Sequence, residues 1–100
     1  WVVAGEHTRL VTALGTRVER RSEGRTLEVA APVEGLALAG DGRLAVCRRD
    51  GVVELRDAAD QLVLEVSAFE GRCGRVVFCD GEQALCAVGW DGRLRVISLW

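Results

Sequence analysis

The residues that could carry out chemistry are few, and their spacing limits what they can do. The chain has one histidine, His7, in an expected turn between Glu6 and Thr8. A triad would have to draw on it alone, and Ser22, Ser67 and Ser98 stand in no nucleophile-elbow context. Asp41, Asp50, Asp80 and Asp91 each precede a glycine. Their simplest role is turn chemistry, in which the carboxylate accepts hydrogen bonds from nearby backbone amides. The glycine-rich stretches Gly40-Asp41-Gly42 and Gly71-Arg72-Cys73-Gly74 open no helix, so no helix N-terminus is there to hold a phosphate. The four cysteines, Cys47, Cys73, Cys79 and Cys86, lack Cys-x-x-Cys spacing, and the single histidine offers no zinc partner. Cys73 and Cys79 flank an expected strand about 20 Å long, too far apart for a disulfide. Cys47 and Cys86 lie within apolar runs. The expectation is therefore no catalytic site, no metal, no cofactor and no disulfide, with the cysteines as free buried thiols in a reducing, cytoplasmic setting.

The elements around these residues are more informative. Asp-Gly pairs tolerate the positive φ of tight hairpin turns, and the runs beside them have strand length. Leu44 to Cys47 lies between Asp41-Gly42 and Asp50-Gly51, and Val52 to Arg56 follows with charge on one face. Asp80-Gly81 and Asp91-Gly92 frame a second such set, Gln83 to Val88 and then Arg93 to Leu99. Earlier in the chain, Trp1 to Ala4, Leu10 to Leu14, Arg17 to Arg21 and Thr26 to Ala30 read as strands, with turns at Gly15 and Ser22-Glu23-Gly24, and Pro32 closes that round. Gln61 to Val66 completes the second round. Leu55, Ala58, Ala59, Leu62, Val66 and Phe69 also fit helical spacing, which leaves a helix across Asp57 to Phe69 as the alternative there. Gly15, Gly51 and Gly92 are separated by 36 and 41 residues. Four strands repeating at a period near 40 residues mark β-propeller blades.

Composition agrees with a folded domain and narrows its partners. Of 100 residues 49% are hydrophobic, and the net charge is −2 with 13 basic and 15 acidic residues scattered along the chain. Neither nucleic acid nor an anionic membrane is an expected partner. No long apolar span or signal-peptide pattern is present. The chain begins at Trp1 and contains no methionine, so it is expected to be a piece of a longer protein.

The second and third rounds resemble WD-repeat propeller blades. Asp50-Gly51-Val52-Val53-Glu54-Leu55-Arg56-Asp57 matches the blade ending, with Arg56 in place of the family tryptophan. Asp91-Gly92-Arg93-Leu94-Arg95-Val96-Ile97-Ser98 matches with Ile97-Ser98 at that place. The Gly-His pair that usually precedes a blade is absent. Quinoprotein-type propellers also use Asp-Gly turns and tryptophans and remain a rival. The resemblance implies an all-β arc of a propeller, with four-stranded antiparallel blades at about 1–31 and 32–68 and an incomplete one at 73–100. A ring needs roughly four to eight blades, so the remaining blades of the parent chain are expected partners. The end faces, lined by residues such as Leu10, Val11, Leu85 and Val88, would be left uncovered, and the isolated piece is expected to self-associate or fold only in part.

The resemblance also implies where ligands bind. In such a blade the loop between strands two and three shares a face with the loop joining consecutive blades. Here those loops carry Arg48, Arg49 and Asp50; Gly89, Trp90 and Asp91; and Glu70, Arg72 and Arg75. Trp and Arg are enriched at binding hot spots. The implied function is a non-enzymatic scaffold that binds a protein or peptide on this face through Trp90, Arg48, Arg49, Asp50, Asp91 and Arg72. The alternatives are a fragment of a quinoprotein-like enzyme whose active site lies in further blades, or a purely structural blade set. Against a binding role for these residues stands the reading in which Trp90 packs on its own turn and the arginines only solubilise the rim. Far-ultraviolet circular dichroism should show a strand spectrum, and a strong helical double minimum would overturn the all-β reading.

Overall fold

The Asp-Gly pairs do form turns. In the computed structural model, which describes residues 1–6 and 8–99, Gly42, Gly51, Gly81 and Gly92 all take positive φ. Gly51 is the most constrained of them. At φ +87° a Cβ there would lie 2.1 Å from the Phe69 carbonyl oxygen and 2.5 Å from that of Gly71. The described residues contain eleven strands and one short 3₁₀ turn, Arg21–Glu23. His7 and Trp100, the candidate base and the last residue of the third round, lie outside the described residues.

The strands form three antiparallel sheets, each a simple meander. Blade 1 comprises β1 (Val2–Glu6), β2 (Arg9–Leu14), β3 (Arg17–Arg20) and β4 (Arg25–Glu28). Blade 2 comprises β5 (Val33–Leu38), β6 (Leu44–Arg48), β7 (Val52–Arg56) and β8 (Leu62–Ser67). Blade 3 comprises β9 (Cys73–Cys79), β10 (Ala84–Gly89) and β11 (Leu94–Ser98). The stretch from Asp57 to Phe69 holds a tight turn, with the Asp60 amide donating to the Asp57 carbonyl at 2.9 Å, and then β8. The helical spacing there therefore does not form a helix. Pairing with β7 through Val53↔Val66 and Leu55↔Leu64 satisfies the backbone and places Leu64 and Val66 against the next blade.

The blades stack face to face, so their order in the chain is their order in space. Blade 2 lies in the middle and β6 is buried along its whole length. Leu44 and Val46 face blade 1 in a cluster with Val11, Ala13, Val18, Leu36 and Leu38. Ala45 and Cys47 face blade 3 in a cluster with Val53, Leu55, Val76, Leu85, Ala87 and Ile97. This explains why the second run of each round is apolar on both faces, while strands buried on one side alternate. Of the residues expected on the uncovered ends, Leu10 and Val88 are exposed, but Val11 and Leu85 are buried. They point toward blade 2, because side chains alternate along a strand. Truncating Leu85 to alanine would cost about 2–5 kcal/mol, the range for a buried leucine.

Charge joins the blades at their edges. Arg20 of blade 1 is buried, with Nε 2.6 Å from Asp60 and further bonds to the carbonyls of Gly42 and Asp57, all in blade 2. Arg43 of blade 2 donates to the Glu82 carbonyl at 2.9 Å and lies over Phe78 of blade 3.

A covalent link corrects the thiol expectation. Cys47 and Cys73 form a disulfide with Cα atoms 5.7 Å apart, and Cys79 and Cys86 remain free. The reach argument excluded only Cys73 with Cys79, along one strand. Cys47 ends its apolar run facing blade 3, and Cys73 opens β9 facing blade 2, so stacking of the blades brings the two sulfurs together. The thiol argument for a reducing compartment falls with this pair. A thiol titration under denaturing, non-reducing conditions should find two free thiols, rising to four on reduction. Reduction should lower the unfolding free energy by about 3 kcal/mol, the entropy of closing a loop of this length. Four free thiols before reduction would rule the link out.

Candidate functional site

The turns β2–β3, β6–β7 and β10–β11 lie on one rim with the links between blades, so residues distant in sequence meet there. Arg49 follows β6, and its Nε donates to Glu34 Oε1 at 2.8 Å. Arg72, in the link before β9, donates from Nη2 to the same oxygen at 2.9 Å. Its guanidinium carbon stands 3.8 Å from the centroid of the Trp90 ring, a cation–π stack. The backbone closes the arrangement, since the Trp90 amide donates to the Arg72 carbonyl at 2.9 Å. The cluster therefore runs Arg49, Glu34, Arg72, Trp90 across two blades.

Local structure aims each member. Glu34 is the extra residue of a bulge between Val33 and Gly35, which takes it out of the regular pairing. Gly74 occupies the matching irregular place in β9, opposite Val88 and Gly89. A Cβ on Gly74 would come within 3.1 Å of Trp90 Cδ1, so the glycine leaves room for the indole. Trp90 itself is 63% exposed.

The electrostatics leave the cluster net positive. Burial pushes the Glu34 carboxyl up, but hydrogen bonds from Arg49 and Arg72 outweigh it and hold the group below its ordinary range. One carboxylate thus faces two guanidinium groups. Arg72 Nε is buried with no hydrogen-bond partner, a costly state for a charged donor group. The cluster can hold a carboxylate beside an apolar group; among the described residues no group of three or more His, Cys, Asp or Glu could hold a metal ion.

The other expected binding residues are engaged locally. Arg48 is 5% exposed and turns inward to Glu54 at 2.6 Å and to Asp50. Its hydrogen bond to Asp50, then that to Glu54, raises its pKa against the cost of burial. Being buried and fully paired, it is a structural cation and not part of the rim surface. Asp50 is engaged by Arg48 and receives the Val52 amide. Asp91 receives the Arg93 amide at 3.0 Å, so both aspartates serve their turns. Glu34 was not among the expected residues. Nothing in its local sequence points to the rim, and only the bulge and the adjacent blade bring it to Arg72.

Two hollows lie away from the rim. One, about 270 Å³, is bordered by Arg17, Arg20, Arg21 and Arg25, but Glu19, Glu23 and Asp60 already pair these arginines. The other, about 360 Å³, runs along the inner strands β1, β5 and β9, where aliphatic residues are joined by Glu6, Arg75, Phe78 and Glu82.

No protein-family model matches the chain, and no curated protein does. Solved structures do match in fold. The chain is similar to the computationally designed Ika4 protein, with a TM-score of 0.79 at 17% identity, covering 98% of this chain and 64% of that one. A chain of the Mitotic Checkpoint Complex gives a TM-score of 0.79 at 15% identity, covering 96% of this chain and 33% of that one. Sqt1 of Saccharomyces cerevisiae gives 0.75 at 14% identity, covering 91% and 28%. The chain thus spans less than two thirds of the length of each. With three meander sheets stacked face to face, these likenesses define the class of the fold: an all-β arc of a β-propeller.

The Glu34 pairing implies a pH dependence. A carboxylate whose folded pKa is depressed adds stability above its unfolded value, and that stability is lost as pH falls through the folded value. Unfolding free energy should therefore decline on acidification from about pH 4.3 downward, with a shallower decline in Glu34→Gln. An unchanged slope in that variant would show that Glu34 gains nothing from its arginines.

Proposed function

We propose that the chain is part of a WD-repeat-type propeller acting as a non-enzymatic scaffold, and that its rim binds a protein or peptide segment bearing both a carboxylate and an apolar side chain. The observation that carries this is the exposed Trp90 held flat against Arg72. An aromatic and a guanidinium ordered before binding lose little entropy on binding, and both types are favoured hot-spot residues. The remaining positive charge beside Glu34 suits an acidic group. One of the similar folds fits this reading, since it is a chain of the Mitotic Checkpoint Complex. The net charge of −2 makes nucleic acid a poor partner.

A displayed peptide library selected on the folded chain should enrich Asp or Glu next to aliphatic or aromatic residues. Trp90→Ala, Arg72→Ala and Arg49→Ala should each weaken a selected peptide by about 1–3 kcal/mol, with the melting temperature nearly unchanged in Trp90→Ala and modestly lowered in the two arginine variants, each of which takes one partner from Glu34. Arg48→Ala should do the opposite, lowering stability by leaving Oε2 of the buried Glu54 without its partner, Arg56 holding only Oε1. Unchanged affinity in the Trp90 and Arg72 variants would make the stack purely structural.

A further inference from the structure

The four Asp-Gly turns share a sequence but not their bonding. In three of them the carboxylate is held. Arg43 donates to Asp41 from its amide at 3.1 Å and from its guanidinium at 2.8 Å. Arg48 and the Val52 amide bond Asp50, and the Arg93 amide donates to Asp91 at 3.0 Å. The glycine amides are held too. Gly42, Gly51 and Gly92 donate to the carbonyls of Ala39, Arg48 and Gly89 at 3.0, 3.1 and 3.0 Å.

Asp80-Gly81 has neither tie. Among the described residues the Asp80 carboxylate makes no hydrogen bond or ion pair, and the Gly81 amide has no acceptor. Both residues are exposed. The hairpin closes instead through the Gln83 amide on the Asp80 carbonyl at 3.2 Å. Asp80, Gly81 and Glu82 take φ of 53°, 62° and 69°, and of the three only glycine adopts that left-handed region without strain. Asp80 is also the only one of the four aspartates at positive φ. The expected turn role, a carboxylate accepting backbone amides, therefore holds for three aspartates and fails for Asp80.

An aspartate before glycine can close on the next amide, because glycine has no Cβ to block the approach. Closure requires the carboxyl group and that amide to be released from the turn's hydrogen bonds, and only Asp80-Gly81 starts without them. From this difference we infer that Asp80-Gly81 is a site of spontaneous isoaspartate formation, while the other three pairs are protected by their own turns. The Gly81 nitrogen attacks Cγ of the protonated Asp80 carboxyl group. An N–Cγ bond forms, and the carboxyl hydroxyl leaves with the amide proton as water. The succinimide then takes water back. Addition at Cγ restores aspartate, whereas addition at the backbone carbonyl carbon leaves the chain running through Cβ and Cγ, with a free carboxylate on Cα. No electrons are transferred and no water is lost overall. That new carboxylate is the group an isoaspartyl methyltransferase esterifies from S-adenosylmethionine, so an enzyme of that class is the partner this turn fits. The turn also ties two blades together. Glu82 Oε2 accepts the Gly40 amide at 3.0 Å, and the Glu82 carbonyl accepts Arg43 Nη2 at 2.9 Å. Isoaspartate adds a carbon to the backbone just before Glu82, so both contacts with blade 2 shift. The turn lies at the opposite end of blade 3 from the rim, so neither the rim nor its ligand enters.

The folded chain can be aged in warm neutral buffer and digested, and isoaspartate counted by methyl transfer from S-adenosylmethionine with isoaspartyl methyltransferase. Electron-transfer fragmentation assigns the signal to a residue. Asp80 should convert at least about tenfold faster than Asp41, Asp50 or Asp91, the factor that one net hydrogen bond supplies. In denaturant with the disulfide reduced, the four pairs should convert at comparable rates, because the turns are gone. Asp80→Gly, which suits positive φ, should remove the dominant signal without altering the circular dichroism. The aged chain should melt below the fresh one, and aged Asp80→Gly should not. Equal rates at the four pairs in the folded chain, a lead at any other pair, or no isoaspartate in the folded chain would overturn the inference. So would a lead for Asp80 that persists in denaturant, since neighbouring residues and not the turn would then be its cause. An aged chain rich in isoaspartate that melts unchanged would overturn the link to blade 2.

Discussion

Burial between sheet faces is the constraint on which the rest of this structure depends. Among the described residues no strand of one blade pairs with a strand of another, so backbone hydrogen bonds build each blade and join blades only at isolated points such as the Val33 amide on the Gly15 carbonyl at 2.8 Å. What joins them is apolar area removed from water, worth about 25 cal/mol per Å², together with the disulfide and a few buried ions at the margins. A lone meander is marginal in water, and here β6 becomes core only because a blade covers each of its faces. Among the described residues, blade 2 is thus the only one buried on both sides. The same dependence leaves the outer faces of blades 1 and 3 apolar and open.

Buried charge sets the geometry at the edges of these interfaces. A guanidinium out of water is tolerated only when paired, and each buried arginine is paired in a way that fixes a junction. Arg20 links β3 to the β7–β8 turn through Asp60. Arg48 ties the β6–β7 turn to Glu54 within blade 2, and Arg56 holds the other Glu54 oxygen. Replacing such pairs with apolar residues can preserve stability, but breaking one partner alone is expensive. Arg20 thus orients one blade on another and Arg48 braces blade 2, whereas Arg49 and Arg72 remain on the rim with charge to spare.

The rim inherits its order from the interfaces below it. Cys73 directly follows Arg72, and Cys47 precedes Arg49 by two residues, so the disulfide anchors both segments of the rim from beneath. Trp90 is positioned by the Arg72 stack on one side and by the absent side chain of Gly74 on the other. An exposed aromatic held this way keeps its contact area without the freedom that would oppose binding.

The sequence by itself determined the strands, the turns and the repeat, because these depend on local chemistry. Asp-Gly pairs adopt positive φ wherever they occur, and apolar runs of strand length between them read the same in any context. It also determined which turn residues share a rim, since a meander sends alternate turns to one edge. Only tertiary structure decided what crosses from blade to blade. Arg48 and Arg49 are adjacent and alike, yet one is core and the other surface, because successive residues leave a strand on opposite sides. Cys47 and Cys73 are chemically like Cys79 and Cys86, but only the first pair faces across an interface. Glu34 carries no local mark of its role, and the helical spacing from Leu55 to Phe69 gave way once β7 offered hydrogen bonds and blade 3 offered a face to cover. In each case the deciding partner belongs to another strand or another blade, and its distance and direction are set by how the sheets stack.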